Sequence, residues 1–312
     1  MTYIKGLILV FRSESYDDFK DIARRVYKLD PSIQVLGFAE QIDPKLIPRG
    51  FFNLTHLVIY LCNPPSDNNN ISGKLAVKEI DKIEEYVHFK KHNIPCLPIE
   101  HFEWGMTLDP EVYGDWVVLK PRTKLSTGKD VNMVPTKLIH KLVLSDFPED
   151  HLIRQDGYYV QKFLKTGVRP THYRVGIFID SITYSTKTVM NSDYPSDNDD
   201  LSTRLTKTIA ANFVSNRHVC LFKDLKVNEF AINVAKTFPK NPLFGIDILM
   251  EEETGKLFAL ETNLGGNIWH FSSDIGRKYR FDLGGRNQLI RQYNAWDRVA
   301  ECLVRKINEI IN

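Results

Sequence analysis

The chain has 312 residues, of which 43% are hydrophobic and 26% charged, and 41 basic against 39 acidic residues give a net charge of +2. This composition is typical of a globular protein with two or three domains or lobes, and it argues against nucleic acid as a partner. No apolar run has the ~18–20 residues of a membrane span or forms a signal peptide, so we expect a cytoplasmic protein without membrane contacts. The cysteines lack CxxC spacing and are predicted to be reduced, buried thiols: Cys62, Cys96, Cys220 and Cys302.

The N-terminal part of the chain alternates strands with a helix. Apolar strand-like runs begin at Gly6, Ile33 and Thr55, and an amphipathic helix with Ser15 as N-cap follows the first of them. This alternation predicts a parallel sheet in an α/β domain. The polar stretch 63–73 predicts a loop, and the segment 74–95 predicts one long helix that ends before Pro95.

From Trp116 onward, closely spaced strand candidates predict an antiparallel sheet. Their sequences are WVVLKP, VNMV, YYVQKFL, YRVGIFI and SITYSTKTVM. We predict helices over 136–147, 224–238 and 296–311, and a loop over 191–202. That loop has four aspartates, but it lacks the spacing and the closing glutamate of an EF-hand calcium loop.

Three polar residues stand inside a predicted hairpin, FGIDILMEEETGKLFALETNLGGN. If residues 252–256 form the turn and Glu251 pairs with Leu257, Asp247 lies opposite Glu261, and Asn263 shares the face of Glu261. Oxygen ligands grouped in this way suit Mg²⁺, although a solvent-facing side of the sheet would give the same pattern. The NLGGN segment that follows is either an anion-binding turn or an ordinary one.

Lysines and one arginine give a second set of candidates. Lys120 ends an apolar strand before a loop with Ser126, Thr127 and Gly128, which could hold a polyphosphate, although a surface lysine is the alternative. Arg174, inside an alternating strand, requires an anion or a carboxylate as partner.

In this order, these motifs resemble the ATP-grasp superfamily, in particular D-alanine–D-alanine ligases and the glutamate ligases that modify a ribosomal protein's tail. The resemblance extends from Asp81 to Asn267, with weaker similarity before it. It implies an α/β fold with α+β lobes, in which an N-terminal Rossmann-like pre-grasp domain precedes the ATP-grasp fold. The implied domains are a pre-grasp domain over 1–75, a small lobe over 76–160 and a C-terminal lobe with the metal-binding hairpin over 161–312.

The resemblance also implies roles for individual residues. The implied metal ligands are Asp247, Glu261 and Asn263. The implied catalytic residues are Arg174, Lys120 and Asn267. The implied ATP-binding residues are Lys82, Lys120, Ser126, Thr127, Gly128, Gln161, Lys162, Phe163 and Leu164. The implied substrate residues are His172, Gly265, Gly266 and Arg280.

The sequence departs from the superfamily pattern at several positions. Gln161 stands where many members have a glutamate, and the stretch 165–172 lacks the acidic residue that usually holds the ribose. Leu125 replaces a common glycine, and the arginine that often precedes the metal-binding aspartate is assigned either to Arg217 or to Arg204.

The implied activity is ATP-dependent ligation of a carboxylate to an amine through an acyl-phosphate, on an amino acid, a peptide or a small carboxylate. The implied cofactors are ATP and one or two Mg²⁺ ions, or Mn²⁺ in their place, and a homodimer is expected only by analogy. A kinase that phosphorylates a hydroxyl and a non-catalytic nucleotide-binding module remain as alternatives.

Overall fold

A computed structural model of the chain describes residues 3–64, 74–78, 80–122, 128–210 and 217–310. The strands in these ranges are β1 (Lys5–Phe11), β2 (Ile33–Ala39), β3 (Thr55–Tyr60), β4 (Lys74–Ala76), β5 (Ile99–His101), β6 (Trp116–Pro121), β7 (Asn132–Pro135), β8 (Tyr158–Lys162), β9 (Thr171–Phe178), β10 (Ser181–Met190), β11 (Arg217–Leu221), β12 (Leu243–Met250) and β13 (Leu257–Leu264). The α-helices are α1 (Tyr16–Leu29), α2 (Lys82–Lys91), α3 (Pro110–Tyr113), α4 (Leu201–Thr206), α5 (Leu225–Lys236), α6 (Gly276–Asp282), α7 (Arg286–Tyr293) and α8 (Ala295–Glu309).

The first sheet is parallel, as predicted, with strand order β2-β1-β3-β4. Helix α1 packs on it through apolar residues at helical spacing, including Phe19, Ile22 and Val26. Helix α8, from the other end of the chain, packs against α1 and buries Val299 and Leu303 in the same core. The core of the first sheet is therefore built from both ends of the described chain.

Two antiparallel sheets form the rest of the fold, whereas the clustered strands predicted a single antiparallel sheet. The second sheet has the order β5-β8-β6-β7, and the third has the order β11-β10-β9-β12-β13. One face of the third sheet is apolar and packs on α5, where Val227 and Ala231 meet Phe244 and Ile246. Its other face carries the polar residues of the candidate site.

Two helix predictions are wrong in part. The segment 74–95 begins as strand β4, and its helix starts only at Lys82, because Asp81 caps α2 by accepting a hydrogen bond from the N–H of Ile83 at 2.8 Å. The segment 136–147 forms short 3₁₀ turns rather than an α-helix. There the Arg154 side chain donates to the carbonyl oxygens of Leu144 and Phe147, which fixes the non-helical path.

The predicted domain boundaries, 75/76 and 160/161, fall within β4 and β8, and the division into three domains stays a prediction. All four cysteines are free thiols, as expected, but only Cys302 is buried, and the other three are partly exposed. Among the helices of the described ranges, none is long and apolar enough to cross a lipid bilayer.

Candidate active site

The β12–β13 hairpin places the predicted carboxylates opposite each other. Leu257 pairs with Met250 rather than with Glu251, so the predicted register is wrong by one residue near the turn. A bulge between Asp247 and Ile248 then shifts the pairing, and Asp247 lies opposite Glu261, as predicted. Such a bulge adds one residue to one strand and redirects the side chains beside it.

Arg174 and Asp247 form a buried, two-point ion pair. Arg174 of β9 lies directly opposite Asp247 in the sheet. Its Nε donates to Asp247 Oδ1 at 2.7 Å, and its Nη2 donates to Oδ2 at 2.6 Å. Burial acts to lower the pKa of Arg174, but the charge of Asp247 outweighs it and raises that pKa well above its usual value. The sequence prediction that Arg174 needs an anionic or carboxylate partner is confirmed.

Asn263 joins the two carboxylates of the hairpin. Its Nδ2 donates to Asp247 Oδ2 at 3.0 Å and to Glu261 Oε1 at 3.4 Å. The two carboxylates and the side-chain amide of Asn263 therefore lie together, with the amide nitrogen toward the carboxylates. Carboxylate and amide oxygens are the hard ligands that Mg²⁺ prefers. Within the described ranges, no group of three His, Cys, Asp or Glu side chains is placed to hold a metal ion, so a site here would include the amide.

Two lysines add positive charge at Glu261. Lys82, at the start of α2, forms an ion pair with Glu261, and Lys120, at the end of β6, donates to Gln161 Oε1 at 2.8 Å. Burial acts to raise the pKa of Glu261, but the charges of Lys82 and Lys120 dominate and lower it to about 2. Burial, reinforced by the charge of Lys82, lowers the pKa of Lys120 to about 7. Lys120 is only 9% exposed, which excludes the alternative of a surface lysine.

Glu85 is a buried member of the cluster that the sequence analysis missed. One turn beyond Lys82 on α2, its Oε1 accepts from the N–H of Thr262 at 2.6 Å and from the Thr262 hydroxyl. Burial raises the pKa of Glu85 to about 7. The contact fixes α2 to β13 and so positions Lys82 against Glu261. The spacing of Lys82 and Glu85 along one helix was the only sequence signal for it.

The segment with the implied ATP-binding residues Gln161 to Leu164 has some of its backbone groups occupied by other hydrogen bonds. The N–H of Lys162 donates to Pro98 O at 2.9 Å, and the N–H of Phe163 donates to Trp116 O at 3.1 Å. The Lys162 side chain points to α3, where Nζ donates to Val112 O at 3.0 Å. Leu164 is the first of the implied ATP-binding residues that follows the two residues with these backbone hydrogen bonds.

The predicted phosphate loop is described only at its end. Ser126 and Thr127 lie outside the described residues. Gly128 has a φ of +89°, which favours glycine, and its carbonyl oxygen accepts from Thr208 Oγ1 at 2.6 Å. The roles of these three residues stay a prediction.

The turn after β13 connects the third sheet to the first. Gly265 has a φ of +91°, and a 3₁₀ turn over Gly266–Ile268 follows it. The side chain of Asn267 accepts from Arg12, which directly follows β1. Asn267 is therefore placed at the junction of two sheets, with Gly265 and Gly266 between it and the hairpin.

The two remaining residues that are predicted to bind substrate, His172 and Arg280, lie in different surroundings. His172 is buried on the polar face of the third sheet, two residues before Arg174, and burial lowers its pKa to about 4. Arg280 donates to the carbonyl oxygens of His270 at 2.7 Å and Ser273 at 2.9 Å, so the structure gives it a role in holding that turn.

The two candidate arginines, Arg217 and Arg204, lie in different parts of the structure. The guanidinium carbon of Arg217 lies 4.5 Å from the centre of the Tyr279 ring, and that of Arg174 lies 6.0 Å from the same ring. Arg204 instead stacks on Trp116 at 4.3 Å, in the second sheet. Of these two arginines, only Arg217 lies over Tyr279, the ring that Arg174 of the Arg174–Asp247 pair also approaches.

Comparisons with known proteins identify the fold. No protein-family model matches the chain, and no curated protein matches its sequence. Similar solved structures include the ATP-grasp ligase PsnB complexed with a phosphomimetic variant of minimal precursor, Mg and ADP, which is 12% identical with a TM-score of 0.52 and coverage of 98% of this chain and 99% of that chain. PsnB complexed with precursor peptide PsnA2 and AMPPNP is 11% identical, with a TM-score of 0.51 and coverage of 98% and 99%.

A Chryseobacterium gregarium RiPP-associated ATP-grasp ligase, in complex with ADP and a leader and core peptide, is also similar. It is 12% identical, with a TM-score of 0.52 and coverage of 98% of this chain and 97% of that chain. Likeness over almost the full length of both chains, at such low identity, concerns the fold. The chain therefore has the ATP-grasp fold, as the resemblance found in its sequence implied.

Proposed function

We propose that the protein is an ATP-dependent ligase that joins a carboxylate to an amine through an acyl-phosphate. The observation that carries the proposal is the contact between oxygen ligands and cations on one sheet face. Asp247, Glu261 and Asn263 converge there, with Arg174 bound to Asp247 and Lys82 bound to Glu261. This arrangement suits a metal–polyphosphate group, which needs both kinds of charge at close range.

The residues of this site would act mainly by binding and positioning. Asp247, Glu261 and Asn263 would hold Mg²⁺, which supplies charge neutralisation to the phosphates when bound. Lys82 and Lys120 would contact the phosphate oxygens, and Arg174 would stabilise negative charge on the transferred phosphoryl group. These contacts fix the geometry for in-line attack, which is the main requirement of phosphoryl transfer.

The chemistry balances without a nucleophile from the protein. A substrate carboxylate oxygen attacks the γ-phosphorus, the bond from that phosphorus to the β,γ-bridging oxygen breaks, and ADP leaves. The amine nitrogen then attacks the acyl carbon of the acyl-phosphate, phosphate leaves, and the nitrogen loses a proton. The neighbouring structures with bound peptides support a peptide as substrate, and a small molecule is kept as the alternative.

The proposal also covers the metal ions, the domain organisation, the location and the oligomeric state of the protein. We include in it one or two Mg²⁺ ions, with Mn²⁺ as a substitute, the first parallel sheet as a Rossmann-like pre-grasp domain, a cytoplasmic location and a homodimer. The metal fits the oxygen donor set of the hairpin, and the parallel order β2-β1-β3-β4 supports the pre-grasp assignment.

The test measures both products of ATP. Purified protein, ATP and Mg²⁺ are incubated with pooled amino acids, peptides and small carboxylates, while ADP and phosphate are followed and hydroxylamine traps acyl-phosphates. Equal release of ADP and phosphate with a hydroxamate product supports the ligase. ADP without phosphate would identify a kinase, and ATP binding without turnover would favour a nucleotide-binding module.

Two variants on the same hairpin make the test specific. Glu261→Gln removes one ligand charge and one partner of Lys82, so turnover should fall by at least about 100-fold. Glu253→Gln makes the same chemical change at an exposed turn position and should leave turnover unchanged. Equal activity of the two variants would exclude Glu261 from the metal site.

A further inference from the structure

The polar face of the third sheet contains buried groups that the phosphate and metal site does not use. Thr188 of β10 lies directly opposite His172 of β9, and Thr186 lies directly opposite Arg174. Residues that pair in this way point to the same face of a sheet. Thr186, Thr188 and His172 are therefore on the face that carries Asp247, on the side toward β11.

Several polar atoms of these side chains are buried and have no hydrogen-bond partner among the described residues. Within the described ranges, Thr186 Oγ1, Thr188 Oγ1 and His172 Nε2 have none, and neither ring nitrogen of His270 has one. All four residues are at most 4% exposed. Buried polar groups are nearly always satisfied in folded proteins, so each exception requires an explanation, such as a catalytic role or a bound water or ion.

Positive charge adjoins this group of atoms. His270 stacks on Tyr279 with ring centres 4.7 Å apart, and the guanidinium of Arg217 lies over the same tyrosine. Arg217 Nη1 is 3.5 Å from the Tyr279 hydroxyl oxygen, and Arg217 shares the face of Thr188 because Val219, two residues along β11, pairs with Thr188. Hydroxyls, ring N–H groups and a guanidinium are all donors that a carboxylate can accept from.

An ordinary structural role does not explain these threonines. Thr183, on the same strand, is as buried as Thr188, and its Oγ1 donates to Gly176 O at 3.0 Å. The strand can therefore satisfy a buried threonine hydroxyl through its neighbour. Thr183 lies in the bulge between Ile182 and Tyr184, whereas Thr186 and Thr188 lie in the regularly paired part of the strand and have no such bond among the described residues.

We propose that Thr186, Thr188, His172, His270 and Arg217 form a binding subsite for a substrate carboxylate that is not the one phosphorylated. The proposal rests on the proposed function, and it adds that one substrate carries a free carboxylate beside the reacting group. That carboxylate belongs either to the acyl substrate, which is then a dicarboxylate, or to the amine substrate, which is then an amino acid or a peptide with a free C-terminus.

The first experiment needs no substrate. Because an unpartnered buried hydroxyl destabilises the fold, Thr188→Val should raise the melting temperature by about 2 °C or more. The matched variant Thr183→Val removes a satisfied hydroxyl and should lower it. A fall in melting temperature for Thr188→Val similar to that for Thr183→Val would show that its hydroxyl is satisfied and would overturn the subsite.

The second experiment measures binding with named probes and without ATP. Glutarate, glutamate and glutamylglutamate are titrated by calorimetry against amide- or ester-blocked counterparts. At least one free carboxylate probe should bind, and Arg217→Gln and Thr188→Val should each weaken it by at least 10-fold, with partial recovery in Arg217→Lys. Binding of glutarate assigns the carboxylate to the acyl substrate, and binding only of probes with a free amine assigns it to the amine substrate.

Failure of the subsite and failure of the proposed function are distinguishable. Absence of binding by every probe, or equal binding to wild type and both variants, overturns the subsite whatever the ATP assay gives. Carboxylate binding that depends on Arg217 and Thr188, but without ADP formation, would retain the subsite and reject the ligase.

Discussion

Removal of Arg174 should destabilise the protein strongly before any ligand is bound. Asp247 is fully buried, and two hydrogen bonds of 2.7 and 2.6 Å from Arg174 balance its charge. In Arg174→Met, the carboxylate keeps only the amide of Asn263 among the contacts of the described residues. Leaving one buried charge without its partner costs about 3–5 kcal/mol of unfolding free energy.

A double-mutant cycle tests the size of this effect. Asp247→Asn leaves the guanidinium without a charged partner and should also destabilise, whereas the double variant Arg174→Met/Asp247→Asn removes both charges. We expect a coupling free energy of about 2–3 kcal/mol, so the double variant should be far more stable than the sum of the single changes predicts. Urea unfolding of the metal-free and nucleotide-free protein measures all four species.

An exposed ion pair supplies the control. Arg169 Nε and Asp193 Oδ1 are 2.9 Å apart, but the two side chains are 49% and 66% exposed. Arg169→Met should therefore cost less than about 1 kcal/mol. If Arg174→Met costs no more than Arg169→Met, Arg174 does not hold the charge of Asp247, and the reasoning for this site is refuted.

Three further predictions concern the same region. Burial lowers the pKa of Lys120 to about 7, so nucleotide binding at pH 8 should take up about one proton, and calorimetry in buffers of different ionisation enthalpy should find this uptake lost in Lys120→Met. Burial raises the pKa of Glu85 from 4.5 to about 7, so the stability due to its protonation, about 3 kcal/mol, is present below pH 4.5 and is lost as the pH rises through 7. Melting curves at pH 5 and 8 should therefore show a smaller pH dependence for Glu85→Gln than for wild type, and an unchanged dependence would contradict the assignment. In Gly176→Ala, the new Cβ would lie 2.2 Å from the Tyr184 ring, which should cost about 1–3 kcal/mol in urea unfolding, whereas Gly157→Ala meets only a flexible arginine and should cost less.

The sequence was most informative in the strands of the hairpin, where polar and apolar residues alternate. In the hairpin, alternation put Asp247, Glu261 and Asn263 on one face, and the structure confirms that they converge. The predicted pairing of Asp247 with Glu261 is correct although the predicted register at the turn is wrong by one residue, because a bulge beside Asp247 compensates for that error. Local periodicity could indicate the face, but it could not indicate the bulge, since bulges depend on how the partner strand packs.

Long-range contacts were not predictable in the same way. The contact between Glu85 and Thr262 joins residues 177 positions apart, and nothing in either local pattern specifies the other. Strand β4 has only three residues, too few to show a period, and it forms because β3 supplies a parallel edge. The unpartnered state of Thr188 also depends on tertiary packing, since its local sequence does not distinguish it from Thr183.

The packing of α8 against α1 has a consequence for the order in which the protein folds. The strands of the first sheet are encoded before residue 77, but the apolar surface of α1 is covered by Val299 and Leu303 of α8. During synthesis, these N-terminal strands therefore emerge long before the helix that completes their core. We expect the segment that contains β1 and α1 to expose apolar surface until α8 has been synthesised, so that it cannot be produced as a stable fragment without α8.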